Sequence, residues 1–300
     1  MSCRSPSLLV LALVSAVAVW PASGDPSWSH SDQASWPADF PLCGGARQTP
    51  VQLEPAEQLY WDEASRPQAR FPKGLKAGRL TASNTGHTLV VELQTEAGEP
   101  AVQLKGAAPG PLIGLYTLDS LHLHWNDPAG GRGAEHSVNG SFEQAEAHFV
   151  FFNQQYGSVS AALEHTDGLA VVGLLLRPSP ALSLSLPTFG LENDLAQLAY
   201  PGSSPPPRAA DLRPLRRLLR SALSGLYSYE GSLTTPPCSP VVTWLVVDRP
   251  VSVDAQFLQQ LRTGLYADAA GTELIQNNWR ELQDLDGRTV VRYSEQQQPL

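Results

Sequence analysis

The segment Leu121-His122-Leu123-His124-Trp125 alternates apolar and imidazole side chains. On a β-strand, residues two apart point to the same face. The pattern therefore predicts a strand with His122 and His124 side by side on one face. His148, in Glu146-Ala147-His148-Phe149-Val150, can join them from a neighbouring strand. Three imidazoles suit one zinc ion and leave its fourth tetrahedral position open, the pattern of a catalytic rather than a structural metal. Taken singly, each histidine reads more simply as a satisfied core residue. Together they point to a zinc hydrolase or hydratase.

The chain reads as mostly strands. Thr88 to Leu93, Tyr116 to Trp125, Ala145 to Asn153, Leu169 to Arg177 and Val241 to Val247 are rich in β-branched or aromatic residues and bounded by Gly, Pro, Asn or Asp. Helices are predicted over Gly157 to Glu164 and Asp254 to Tyr266. The second has Asp254 as N-cap and Phe257, Leu258, Leu261 and Leu265 on one stripe. Shorter helical signals run over Asp194 to Leu198 and Arg213 to Leu223. Arg216, Arg217 and Arg220 of the latter read as a solvated basic face. The Pro-rich stretch Pro201 to Pro207 reads as an interdomain linker or, preferably, a surface loop, because motifs on both sides of it converge on one site.

With 42% hydrophobic and 16% charged residues, the chain can build a substantial core. A formal charge of -9 and an isoelectric point near 5.2 argue against a nucleic-acid partner, whose phosphates want a basic surface. Arg4 precedes an apolar run from Leu8 to Trp20, and Ala22-Ser23-Gly24 offers small residues for cleavage before Asp25. A signal peptide over residues 1–24 is expected, then one secreted domain over 25–300 with its core at about 28–294. A membrane anchor is the competing reading; the short apolar core and Pro21 stand against it. Neither a transmembrane segment nor a lipid-anchor tail is expected further on. Cleavage removes Cys3 and leaves Cys43 and Cys238, which in an oxidising compartment most economically form one disulfide. Asn139-Gly140-Ser141 is an N-glycosylation sequon whose Gly suits an exposed turn.

Further landmarks stand in order along the chain. They are Trp36-Pro37-Ala38-Asp39-Phe40-Pro41, Arg47 to Val51, Asn84-Thr85-Gly86-His87, Leu121 to Trp125, Glu135-His136-Ser137-Val138, Glu146-Ala147-His148, Gly231 to Pro237, Val242-Thr243-Trp244 and Asn278-Trp279-Arg280. This series resembles the α-class carbonic anhydrases over nearly all of the chain after the leader. The resemblance implies a mainly β (α+β) single domain: a central twisted, mostly antiparallel sheet of about ten strands with short peripheral helices. It implies zinc as cofactor, reversible hydration of CO2 to bicarbonate and a proton, and binding of sulfonamide-type inhibitors. Three neutral imidazoles leave zinc its full charge and bring the pKa of its bound water to about 7, so that a hydroxide can attack CO2.

The resemblance also assigns roles. Thr234 donates to ionised Glu135 and accepts from the hydroxide proton, so the pair orients the attack. Glu146 accepts from a ligand imidazole and fixes its tautomer; which histidine it serves stays open. Val150, Val171, Leu233, Val242 and Trp244 form an apolar wall for CO2, with ordinary sheet core as the plainer reading, and Thr235 lies on the polar side. His87 matches the proton shuttle. Cys43 and Cys238 stand where the family's secreted and membrane-bound members pair cysteines, which would brace the Thr234 loop. Four positions depart from the pattern. Ser120 replaces a glutamine that reaches a ligand, Thr85 an asparagine, Val90 a polar cavity residue, and His30 a water-binding tyrosine if Trp28 is the matching tryptophan. His30 could supplement His87 or lie on the surface. The rival functions are a catalytically silent relative that binds other molecules, and a zinc esterase.

Overall fold

The alternation at residues 116–125 is realised in a strand, Gly114–Trp125, that is buried along most of its length. A strand covered on both faces belongs in the middle of a sheet, and this one does. The structure is a computed structural model that describes residues 27–295, so the expected signal peptide, with Cys3, lies outside the described residues. In spatial order the sheet runs Arg208–Asp211, Ala77–Asn84, Leu89–Gln94, Gly114–Trp125, Ala145–Asn153, Leu169–Arg177, Val242–Val247, Gly225–Gly231, Val291–Glu295 and Glu57–Trp61. Strands attached off this path bring it to thirteen. Neighbours on the path are antiparallel except Leu169–Arg177 beside Val242–Val247 and Val291–Glu295 beside Glu57–Trp61. The expected mainly β architecture is thus present, with every strand predicted from sequence within two residues of its place.

The two faces of the central strands differ. Leu121, Leu123 and Trp125 join Ala147, Phe149, Phe151, Val172 and Leu174 in the larger apolar core. Each buried Leu or Phe contributes about 1.5–3 kcal/mol, so this face anchors the sheet. The opposite face carries a second apolar cluster, including Val150, Val171, Val242 and Trp244. By alternation His122, His124 and His148 lie on that second face, with His148 directly opposite His122 and Glu146 opposite His124. The register shifts beyond Val150, which faces Ser120 while Phe151 faces Leu118, so Asp119 bulges out of the ladder.

The helices are short. Asp254 caps Ala255–Gly264 by accepting from the Phe257 N–H at 2.7 Å. The helix predicted over 157–164 contracts to Val159–Ala162, because Gly157 takes a left-handed φ of 77° that separates it from the turn Gln154–Tyr156. Residues 194–198 make only a 3-10 turn, Leu195–Gln197. Arg213–Ala222 is a full helix that buries Leu215, Leu218 and Leu219. Its basic face is not wholly solvated as expected. Arg216 donates to the Leu75 carbonyl at 2.6 Å and lies over the Phe71 ring, whereas Arg217 and Arg220 are exposed. A carbonyl and a ring face within reach let Arg216 bury its stem. The Pro-rich stretch is tied to the strand Ala77–Asn84: Gly202 N–H donates to Asn84 O, and Asn84 N–H to Ser203 O. It is a packed surface loop. Asn139 and Gly140, with φ of 49° and 76°, form an exposed hairpin turn.

Cys43 and Cys238 are bonded, with Cα atoms 4.9 Å apart, and pack with Trp28 and Trp36. The bond closes a loop with a sequence separation of 195 residues. Chain-entropy reasoning assigns such a loop about 5 kcal/mol. Reduction is expected to lower the urea midpoint of the purified protein markedly. An unchanged midpoint would mean that the unfolded chain gains little freedom when the bond opens.

Candidate metal centre

His148 Nδ1 lies 3.1 Å from His124 Nε2 and 3.3 Å from His122 Nε2. A tetrahedral zinc with Zn–N of about 2.0–2.1 Å requires nitrogens roughly 3.3 Å apart. The three atoms therefore ring one point as ligands rather than bond to one another. Burial lowers all three imidazoles below their ordinary range, His124 to about 4. Each is neutral at pH 7, the form that binds a metal. The residues fit zinc.

The outward nitrogens are fixed where the partners are visible. His148 Nε2–H donates to Glu146 Oε1 at 2.8 Å, which leaves Nδ1 for the metal. Glu146 thus serves His148, the question the sequence left open. Its Oε1 also meets His136 Nδ1 at 2.7 Å, and its Oε2 accepts the N–H groups of Glu135 and His136, both at 2.9 Å. Burial opposes ionisation of Glu146, but His136 and His148 outweigh it and hold the carboxyl well below its usual range. Gly173 stands opposite His148, and a Cβ there would come 3.1 Å from Glu146 Oε1. His124 Nδ1–H donates to the Asn278 carbonyl at 2.6 Å. A backbone acceptor has no residue signature, so sequence reasoning missed it. Ser120, at the position of the family's glutamine, donates its hydroxyl to Asp119 Oδ2 at 2.9 Å.

Glu135 Oε2 lies 3.5 Å from His124 Nε2. Burial pushes this carboxyl up to about 7, eased by His148, the Arg280 N–H and the nearby Thr234 hydroxyl. Oε1 accepts from Arg280 N–H at 2.8 Å, whereas Oε2 has no hydrogen bond of standard geometry, to Thr234 or any other described residue. A dication at the histidine trio would favour the ionised form. Arg280 was quoted from sequence without a role. Its guanidinium donates to Gln48 Oε1, Thr49 O and Cys43 O, so it joins the disulfide segment to Glu135.

His87 stands in a turn organised by Thr85, whose Oγ1 accepts from His87 N–H at 3.2 Å and Thr88 N–H at 3.1 Å. The His87 ring stacks on Trp28 at 3.9 Å, and burial lowers it to about 4. His30 packs 6.3 Å from His87, ring to ring, with Nε2 buried rather than at the surface. Val90 pairs across the sheet with His122. Val150, Val171, Leu233, Val242 and Trp244 all fall in the second apolar cluster, joined there by Val159 and Leu169. The sequence assigns neither of the last two to the wall, although each lies in a predicted element. Thr234 and Thr235 are buried in the loop between the last two central strands.

Fold and site together define a β-sheet protein with a buried three-histidine zinc centre. Residues 31–294 match the eukaryotic-type carbonic anhydrases, and the chain belongs to that family. It is 29% identical to human carbonic anhydrase 12 over 300 residues, covering 96% of this chain and 79% of that protein. It is 30% identical to bovine carbonic anhydrase 6 over 274 residues, covering 90% of this chain and 81% of that protein. The His122, His124 and His148 cluster is typical of the family's zinc site.

Two predictions follow from these contacts. Glu146→Gln and Gly173→Ala, measured by chelator competition, are each expected to weaken zinc binding roughly 10–100-fold by disturbing the His148 partner. Wild-type affinity in both would remove Glu146 from the site. Zinc-free protein is expected to lose stability with acid. Unfolded histidines protonate near pH 6.5, while His87 and His124 in the fold wait until about 4 and His30, His122 and His148 are also lowered. Stability is thus full above about 6.5 and declines as pH falls toward 4. Glu135, raised to about 7, opposes this as one group against several. A zinc-free urea midpoint equal at pH 7.5 and pH 5 would contradict the desolvation of these rings.

Proposed function

We propose that this chain is a secreted carbonic anhydrase in which Glu135 and Thr234 orient the nucleophile, an apolar wall receives CO2, and His87 exports the proton. One observation carries the reading: three neutral ligand nitrogens converge on one point, on the sheet face that also holds Val150, Val171, Leu233, Val242 and Trp244. The domain is read as residues 25–300 behind a signal peptide at 1–24. The disulfide and the exposed Asn139 sequon support an extracellular setting with Asn139 glycosylated. No helix among the described residues is long and apolar enough to cross a membrane.

Zinc, when bound, brings a coordinated water to a pKa of about 7 and so supplies a nucleophile at neutral pH. His122 Nε2, His124 Nε2 and His148 Nδ1 would hold the ion. Thr234 has one hydroxyl proton; with that proton turned to Glu135, its oxygen can only accept from the nucleophile, which aims a lone pair at the substrate. The valines, Leu233 and Trp244 exclude competing water and suit a small uncharged molecule. Thr235 offers bicarbonate a polar contact. His87 accepts the proton at a ring nitrogen. Stacked on Trp28 it is too weak a base for a donor near 7, so the ring leaves the indole and regains solvent to do so.

The deciding measurement is stopped-flow CO2 hydration with zinc analysis of the same sample. Acceleration that sulfonamides block is expected, with zinc and activity both lost in His124→Ala. Zinc-loaded protein no faster than buffer would instead support a silent relative. His87→Ala is expected to slow turnover about tenfold or more in weak buffer and to recover with imidazole.

A further inference from the structure

The strand Gly114–Trp125 outruns its neighbour. Leu89–Gln94 bonds it only at Val90, opposite His122, and Val91, opposite Leu121. Beyond that point the Leu123 carbonyl and the Trp125 N–H, two residues apart and so on one edge, need other partners. The Asn278 side chain, on a residue 2% exposed, stands in for the strand. Its Nδ2 donates to Leu123 O at 3.1 Å, and its Oδ1 accepts from Trp125 N–H at 2.8 Å. The same Nδ2 donates to His87 O at 3.0 Å. The far side of the turn is held elsewhere: Asn84 Nδ2 donates to the carbonyls of Leu198, Ala199 and Tyr266. Asn278 therefore joins the Thr88 hydroxyl, which also donates to Leu123 O, in holding the His87 end of the turn against the strand that carries His122 and His124.

We propose that the Asn278 side chain is a positioning residue that sets the distance over which His87 receives the proton, an inference that rests on reading His87 as the shuttle. Its grip is on the His87 backbone, so it fixes the pivot of the ring rather than the ring itself. Loss of about 1 Å in such positioning can cost on the order of 100-fold. A side-chain substitution keeps the backbone carbonyl that serves His124, and zinc affinity reads whether that contact has moved.

Asn278→Asp keeps the acceptor for Trp125 N–H but turns an oxygen toward two carbonyls. Asn278→Ala removes the bond to the His87 carbonyl without adding charge, while the Thr88 hydroxyl stays on Leu123 O. For each, kcat in weak buffer is expected to fall roughly tenfold, with kcat/KM and zinc affinity within about threefold of wild type and rescue by imidazole. Adding either substitution to His87→Ala should cause no further slowing. Parallel loss of kcat and kcat/KM without imidazole rescue would reduce Asn278 to a structural part and overturn the inference. An unslowed His87→Ala enzyme would sink the shuttle reading, and this inference with it. A slowed His87→Ala beside unslowed Asn278 variants would sink this inference alone.

Discussion

Three imidazole nitrogens about 3 Å apart in a buried site form a set that demands a cation. Much of the surrounding structure answers that demand. Glu146 and Glu135, both 0% exposed, bring the negative charge that a dication balances. They do so differently. Glu146 is held ionised by four close donors, while Glu135 keeps one oxygen without a standard bond, 3.5 Å from a ligand nitrogen. The first accepts from the outward nitrogen of His148; the second stands beside the inward nitrogen of His124.

Rigidity comes from the sheet. Central strands buried on both faces cannot slip register without turning Leu121, Leu123 and Phe149 out of the core. That fixes His122 opposite His148. The irregular segment around Asn278 and Arg280 then laces the site to its surroundings. Asn278 reaches the ligand strand and the His87 turn, and Arg280 reaches Glu135 and the Cys43 segment. The disulfide is thereby connected to the metal site through one buried residue, Arg280, whose guanidinium meets Cys43 O and whose backbone N–H meets Glu135.

The legible parts were apolar runs of strand length. Residues 145–153 and 169–177 match their predicted strands end to end, because runs rich in β-branched or aromatic residues suit strands buried on both faces. The helix at 157–164 was overread because Gly157 and Ser158 start a new cap inside the pattern. Arg216 was misread as solvated because a helical wheel does not show Phe71 or the Leu75 carbonyl. Ser120 could be seen as a departure, but its turn toward Asp119 depends on a bulge, and a bulge leaves no mark in residue types.

Taken alone, the sequence determined the mainly β fold, the metal-binding trio and the cysteine pair, because strand periodicity and ligand chemistry are local properties of residue type. Tertiary structure alone decided which nitrogen of each histidine points to the shared centre, that Glu146 serves His148, that a backbone carbonyl serves His124, and that Asn278 ties the His87 turn to the strand bearing His122 and His124. Those contacts join residues far apart in the chain, and their geometry follows from register and burial.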